Sequence, residues 1–566
     1  MAKVLTALLV AACLLLTGCS GVPTSGPVER VSADPGHINS GVEIAPAPPA
    51  GDATPIEVVE GFLHAQASWQ PNYRVARAYL TPEAARTWQP EVGVRIYAEG
   101  NPVMATDTAA MLRAPVVGTL DTSGSYRQSA GVLDHDFGLV KDAEGHWRIN
   151  TPPEGLTISE YLFTSAFSRV TPYFFEPGGQ WLVPDPRYFP RGTQAYEGAV
   201  RAVLEGPTAW LAPAVRPTGV DASLARVSVS SDGLVSIVLR GPGDGPSADA
   251  RAALLTQFAR TFRQFDSLAA VEVSWEGVTE PWTLSPYGRT IPVTAFPDAD
   301  PVPRQGSRQL FAVTEGRIVR AMEGGQGGTS LVVAPGISGV VTGAVRSDAV
   351  AAAAITADRS SLLLAPLAEN SVRQSLAGAG LERPNFDRQG LLWVNDGAGV
   401  LWVTQPDGTW VQLDTSAVGE GTIETFRLAP DGVRIAIVVA RPSGSRALGI
   451  ARVDRAEGVH VREWREVSVT TTPVSQASVV DVGWRTPDSL LALVGESRTT
   501  QVLAVAQDGS SIASIGPTAL ADPVELAVAP GVPPMVRTAA GDVWRYNSDF
   551  RWSLLGSGTT SVFYPG

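Results

Sequence analysis

The sequence predicts a multidomain chain in which two α+β domains precede an all-β ring of about six blades. Three observations lead there. Residues 54–165 pass from helical spacing to strict two-residue alternation. Residues 172–286 carry a helix, a hairpin, a second helix and a strand. From residue 300 to residue 566 helical periodicity fades, and strand-turn-strand units recur every roughly 40 to 57 residues.

The N-terminal segment comes before any of these. Lys3 supplies a positive charge, residues 4–16 are an almost unbroken apolar run, and Leu16-Thr17-Gly18-Cys19 follows. This is the layout of an export signal over residues 1–18, too short to span about 30 Å of hydrocarbon, which takes about 20 residues. Leu16-Thr17-Gly18-Cys19 resembles the bacterial lipobox. The resemblance implies cleavage before Cys19, a diacylglycerol thioether on its sulfur and an N-acyl chain such as palmitate on its new amino group. Several acyl chains hold a protein stably on a membrane, whereas one binds reversibly. The only other cysteine, Cys13, lies in the expected signal, so no disulfide is expected in the processed chain. Residues 19–53 are rich in Gly, Pro, Ser and Ala and read as a linker. A flexible chain of that length has an r.m.s. span of about 30–35 Å.

The first folded domain is expected over residues 54–165. Thr54, Pro55 and Glu57 compose a capping box with proline at the first helical position. Ile56, Val59, Leu63 and Ala67 then recur at helical spacing. A second helix is expected over 72–80 and a third from Thr81-Pro82-Glu83. Strands follow near Val92, Val94 and Ile96, and over 114–120, 126–133, 137–141 and 147–149. Three helices leading into a curling sheet resemble the cone-shaped nuclear-transport-factor-like domains. Asp134-His135-Asp136, with His146 nearby, has the residue types of a zinc or acid–base site. In a strand, however, Asp134 and Asp136 share one face and His135 takes the other, which reads as a solvated hairpin edge.

The second domain, residues 172–286, has a helix over 193–205 stopped by Gly206-Pro207. A hairpin turns at Ser231-Asp232, a second helix covers 248–265, and Val271, Val273 and Trp275 belong to a further strand. Ala199-Val200-Arg201-Ala202-Val203-Leu204-Glu205-Gly206-Pro207, with the hairpin and helix behind it, resembles the GerMN module. That resemblance implies binding or assembly and carries no catalytic residues.

In residues 300–566 the clearest repeat is Leu428-Ala429-Pro430-Asp431-Gly432 ahead of Ile435-Ala436-Ile437-Val438-Val439. It resembles a blade of the TolB-type propellers, with weaker copies around Asp348, Asp387, Pro487-Asp488 and Pro530-Gly531. Leu310 to Val313 and Val562 to Tyr564 are expected to lie together and share ring closure.

Composition narrows the chemistry. A formal charge of −13, with only 17 % charged residues, argues against nucleic acid as a partner. Nucleophile-elbow, zinc-protease and phosphate-loop motifs are absent, and the five histidines show no metal-ligand spacing. No catalytic, cofactor or metal residues are therefore expected, and the chain reads as a binding protein rather than an enzyme. The alternatives are an envelope-assembly scaffold or ligand-binding lipoprotein and, less favoured, a cell-wall hydrolase.

The order of these parts resembles the actinobacterial LpqB lipoproteins. The resemblance rests on residues 16–19, Ser25-Gly26-Pro27-Val28, Ala76-Arg77-Ala78-Tyr79-Leu80-Thr81-Pro82, Val183-Pro184-Asp185-Pro186-Arg187-Tyr188, Glu205-Gly206-Pro207 and the Pro-Asp-Gly turns. It implies a lipoprotein anchored on the extracytoplasmic face of the cell membrane. It also implies a partner, the extracytoplasmic domain of an MtrB-type sensor histidine kinase, through which cell-wall and division homeostasis would be influenced.

Overall fold

Thr54 starts the first helix, Pro55–Ala67, and the Glu57 carboxylate accepts from both the N–H and the hydroxyl of Thr54 at 2.8 Å. The computed structural model describes residues 46–566 except 69, 101, 244, 305, 307, 322–330, 471–476, 497–498, 518–519 and 549. The expected signal, Cys19 and most of the linker lie outside the described residues. Val58, Val59, Phe62 and Leu63 of the helix are buried. Phe62 packs on Trp88 and Phe137, with ring centroids 5.4 and 6.4 Å apart.

The second helix is shorter than expected, Arg74–Ala78, because Asn72 and Tyr73 adopt left-handed backbone conformations. Asparagine tolerates that region through local hydrogen bonding, so the helix cannot begin at Asn72. The third helix is Pro82–Thr87, capped by the Thr81 hydroxyl. A curved sheet follows, built around Ala110–Leu120, which pairs with Val94–Tyr97, Val103–Ala105, Tyr126–Gln128 and Val132–Asp136. Two elements depart from the expectation. Leu156–Ser159 pairs parallel with Val94–Tyr97, and Ser159 caps a helix at Glu160–Ala166. That strand is buried at all four positions, so it lacks the alternation by which half-buried strands are recognised.

Phe167–Val170 leaves this domain and pairs antiparallel with Arg187–Pro190 at the entry to the second. There, helices Thr193–Glu205 and Ala248–Phe262 pack on a four-stranded sheet in the order Ser223–Val229, Leu234–Arg240, Ala270–Trp275, Ile291–Pro292. Leu234–Arg240 and Ala270–Trp275 run parallel, with the second helix as crossover. Val235, Ile237, Leu239, Val271 and Val273 are buried with Leu254, Phe258 and Phe262 of that helix. The second helix stops at Phe262, three residues short of expectation, yet Phe265 still packs 6.0 Å from it. Gly206 ends the first helix with φ +97°, a conformation that favours glycine.

Residues 311–563 fold into six four-stranded sheets. The first joins Phe311–Thr314, Arg317–Arg320 and Leu331–Val332 to Thr559–Phe563, which supplies its innermost strand. Blades two to six start with Val340–Val345, Asn385–Phe386, Thr422–Leu428, Ala477–Thr486 and Pro523–Ala527. These six inner strands touch in a closed ring, so the chain is a six-bladed propeller. Phe311 and Phe563 stack across the closure at 6.3 Å, and both are fully buried.

Antiparallel strands put the turns after first and third strands on one face, and those after second strands on the other. The first two domains seat on the former face, against turns of blades three to five and the outer strands of blade four. Among the described residues, the opposite mouth of the ring is lined by the propeller alone.

Candidate functional site

The seam between the domains is densely bonded by charged and aromatic side chains. Arg169, on the strand leading into the second domain, donates from Nη1 to Asp488 Oδ2 at 2.7 Å and from Nη2 to the Asp488 carbonyl at 3.3 Å. Thr171 Oγ1 donates to the same carboxylate at 3.2 Å, and Thr486 Oγ1 to its other oxygen at 2.8 Å. Burial alone would raise the Asp488 carboxyl. Arg169, Thr486 and Arg434 outweigh it and hold the group below the usual carboxylate range. Burial likewise opposes the charge on Arg169, but Asp488 and Asp508 more than restore it.

Behind that pair lies Asp431 of the Pro-Asp-Gly turn, fully buried and paired with fully buried Arg434. Arg434 also donates to Gln507 and, at 2.7 Å, to the Pro487 carbonyl. The Asp431 carbonyl accepts from Trp181 Nε1 of the second domain at 2.9 Å. Trp210 donates to the Glu463 carbonyl at 2.9 Å, lies 4.9 Å from the Arg465 guanidinium, and packs into two apolar clusters at the joint. The first domain reaches the same region. Gln128 donates to the Gly509 carbonyl at 2.9 Å and accepts from the Ser468 N–H at 2.8 Å. Asp300, in the connection to the propeller, takes Arg260 and Arg263 at 3.0 and 3.1 Å, and its carbonyl accepts from Arg388. These contacts make the three domains one continuous packed body.

The residues singled out by type do not converge. Asp134 pairs weakly with exposed Arg113 at 3.8 Å, and Asp136 accepts from the Gly138 N–H at 2.9 Å. His135 bonds the Thr151 carbonyl through Nε2 at 2.8 Å and meets Phe137 edge-on. His146 sits instead with Asp142 and Glu144, their ligand atoms within 4.8 Å of one another. Asp142 already accepts from the N–H groups of Glu144 and His146 and holds Arg148 at 3.1 Å, so it braces its own hairpin turn. Asp387, Asp396, Asp407 and Asp508 brace their turns in the same way, each accepting from the N–H two residues on.

A hydrolase of the two-carboxylate kind needs one acid that can present a proton. Asp481 and Glu525 both line the open mouth of the propeller. Asp481 accepts from Arg427 and from the Val482 and Leu526 N–H groups. Glu525 accepts from Arg537, Ser561 and the Val562 N–H. Both are already occupied as acceptors by donors of the propeller itself. The seam partners escaped sequence reasoning because they lie hundreds of residues apart. The one signal was the Pro487-Asp488 turn, which suggested turn bracing alone.

Three family models match in order. The N-terminal domain of lipoprotein LpqB matches residues 48–164, a sporulation and spore germination domain residues 171–280, and the LpqB beta-propeller domain residues 316–565. Lipoprotein LpqB of Cutibacterium acnes is 31 % identical over 98 % of both chains. The chain belongs to the LpqB lipoprotein family. LpqB of Streptomyces coelicolor is 29 % identical over 98 % of this chain and 96 % of its own. Among solved structures, TolB from Acinetobacter baumannii covers 61 % of this chain and 99 % of its own at 11 % identity, with a TM-score of 0.32. LpqB membership makes this a membrane-anchored lipoprotein, and no described helix is long and apolar enough to cross a membrane.

Proposed function

We propose that this chain is anchored through acyl groups on Cys19, outside the cytoplasm, and works by binding and modulating an MtrB-type sensor histidine kinase. The observation that carries this reading is the seam. Its charged and aromatic groups join three domains of binding type into one body, and among the described residues no nucleophile–base pair is assembled there. The lipobox and the polar linker over residues 19–53 support a tether that lifts this body off the membrane. Two partners held on one membrane meet at raised effective concentration, so a weak interface suffices. We read the chain as a non-enzyme, and its effect as a shift in the population of kinase states.

The test is co-reconstitution of full-length protein and kinase in one bilayer, with autophosphorylation as readout. Kinase activity should change with the lipoprotein present and change less with a Cys19→Ala form. Indifference of the kinase, with no crosslink between the two, would sink the reading.

A further inference from the structure

The uncovered mouth of the propeller opens into a funnel of about 690 Å³. Its rim carries two half-exposed pairs, Arg359 with Glu382 and Arg446 with Glu424, and the carboxylate of Asp396, which braces its own turn. Its floor is much drier. Arg427 and Asp481 are 10 % and 6 % exposed at 2.9 Å, and Arg537 holds Glu525 at 2.6 Å. The fifth floor residue, Arg383, is 15 % exposed and lies 3.6 Å from the same Glu525.

Three guanidiniums thus meet two carboxylates on this floor, and the excess charge falls on Arg383. Arg427 donates to the Thr425 hydroxyl, the Phe426 carbonyl and Asp481, so it is fully engaged. Both carboxylates are filled by other donors, as described above. Arg383 is different. Its Nε and Nη1 are buried without a hydrogen-bond partner, and no other described side chain leaves two such donors. Desolvation first, then the neighbouring Arg427, push its pKa down to about 10 against the opposing pull of Glu525 and Asp481. The Phe563 ring, 5.6 Å from the guanidinium, recovers only part of that. A guanidinium is a fork of donors suited to a planar oxyanion, and this one has only the Glu525 carboxylate at 3.6 Å, beyond hydrogen-bond reach.

We propose that the funnel binds a monoanionic carboxylate, seated on Arg383 at its floor. The surplus on the floor is one positive charge, which a carboxylate neutralises. A phosphate dianion would overshoot it and press against Asp481 and Glu525. The carboxylate belongs either to a small acid or to the end of a peptide chain, since the mouth is wide enough for both.

Full-length protein in detergent is titrated calorimetrically with triglycine, triglycine amide, N-acetylglycine and inorganic phosphate. Saturable binding of triglycine or N-acetylglycine, none of the amide, and a loss of at least about tenfold in affinity on Arg383→Met support the proposal. Much tighter binding of triglycine assigns a chain end, and equal binding assigns a small acid. Arg383→Met removes a buried charge that has only a long 3.6 Å contact with Glu525, while Glu525 keeps Arg537, so this variant should melt no lower than wild type. If it fails to fold, the comparison of acid with amide on wild type decides. The proposal is overturned if neither carboxylate binds at about 10 mM, a ceiling that already admits millimolar ligands. It is also overturned if the amide binds equally, if phosphate binds more tightly, or if the folded variant keeps wild-type affinity.

Discussion

Arg169 and Asp488 meet at 2.7 Å across the seam between the α+β domains and the propeller, although 319 positions separate them. One is 28 % and the other 16 % exposed, so each depends on the other to keep its charge away from water. The pair works as a latch. Breaking it leaves a mostly buried charge behind, and that asymmetry governs the first prediction.

Asp488→Ala should cost about 2–3 kcal/mol, most of it from the stranded Arg169. Arg169→Met combined with Asp488→Ala should cost less than the two single changes added together. Urea unfolding of the four proteins of this cycle measures both figures, and strict additivity would show that the latch contributes nothing.

The same carboxyl predicts an acid sensitivity. Its folded value is depressed, so its contribution is present above the unfolded carboxylate value of about 3.9 and is lost as pH falls through the folded one. Hydrogen exchange at the seam should therefore accelerate below about pH 4. Asp488→Asn should start from a looser seam and show less change across that window.

Trp210→Ala should loosen the second domain from blade four by about 2–4 kcal/mol, since it removes an indole hydrogen bond and the packing of two clusters. Limited proteolysis should then cut between residues 293 and 310 sooner than in wild type. An unchanged cleavage rate would place the strength of the joint elsewhere.

Phe563→Ala, at the ring closure, should cost about 3–5 kcal/mol. Leu554→Ala, at a side chain 52 % exposed, should stay within about 0.5 kcal/mol. Thermal unfolding of both variants tests whether the closure carries the stability of the propeller.

Local chemistry was legible in the chain. The Thr54–Glu57 box, the Gly206 stop, the hairpin before Leu234 and the Pro430-Asp431-Gly432 turn each depend on residues within a few positions of one another. The meeting of residues 310–313 with 562–564 was legible too, because a ring of repeats must join its ends. What stayed hidden depends on distant partners or on burial. Leu156–Ser159 lacks alternation because both of its faces are covered. Asp488 looked like any turn aspartate until Arg169 reached it from another domain. Arg383 carried no signal at all, since its isolation becomes visible only once Arg537 has claimed Glu525.

The innermost strand of the first blade comes from the far end of the propeller, with Thr560 reaching the Val313 carbonyl across 247 positions. Bringing such ends together costs roughly 5 kcal/mol of chain entropy. Until residues 559–563 arrive, Phe311–Thr314 presents a free edge and the blades behind it have no closed neighbour. A chain synthesised from its N-terminus delivers those residues after all other blades. The propeller therefore completes itself only once that segment is in place, and a polypeptide cut short anywhere upstream is left open and recognisable as unfinished. The last strand acts as a completeness check on the whole ring.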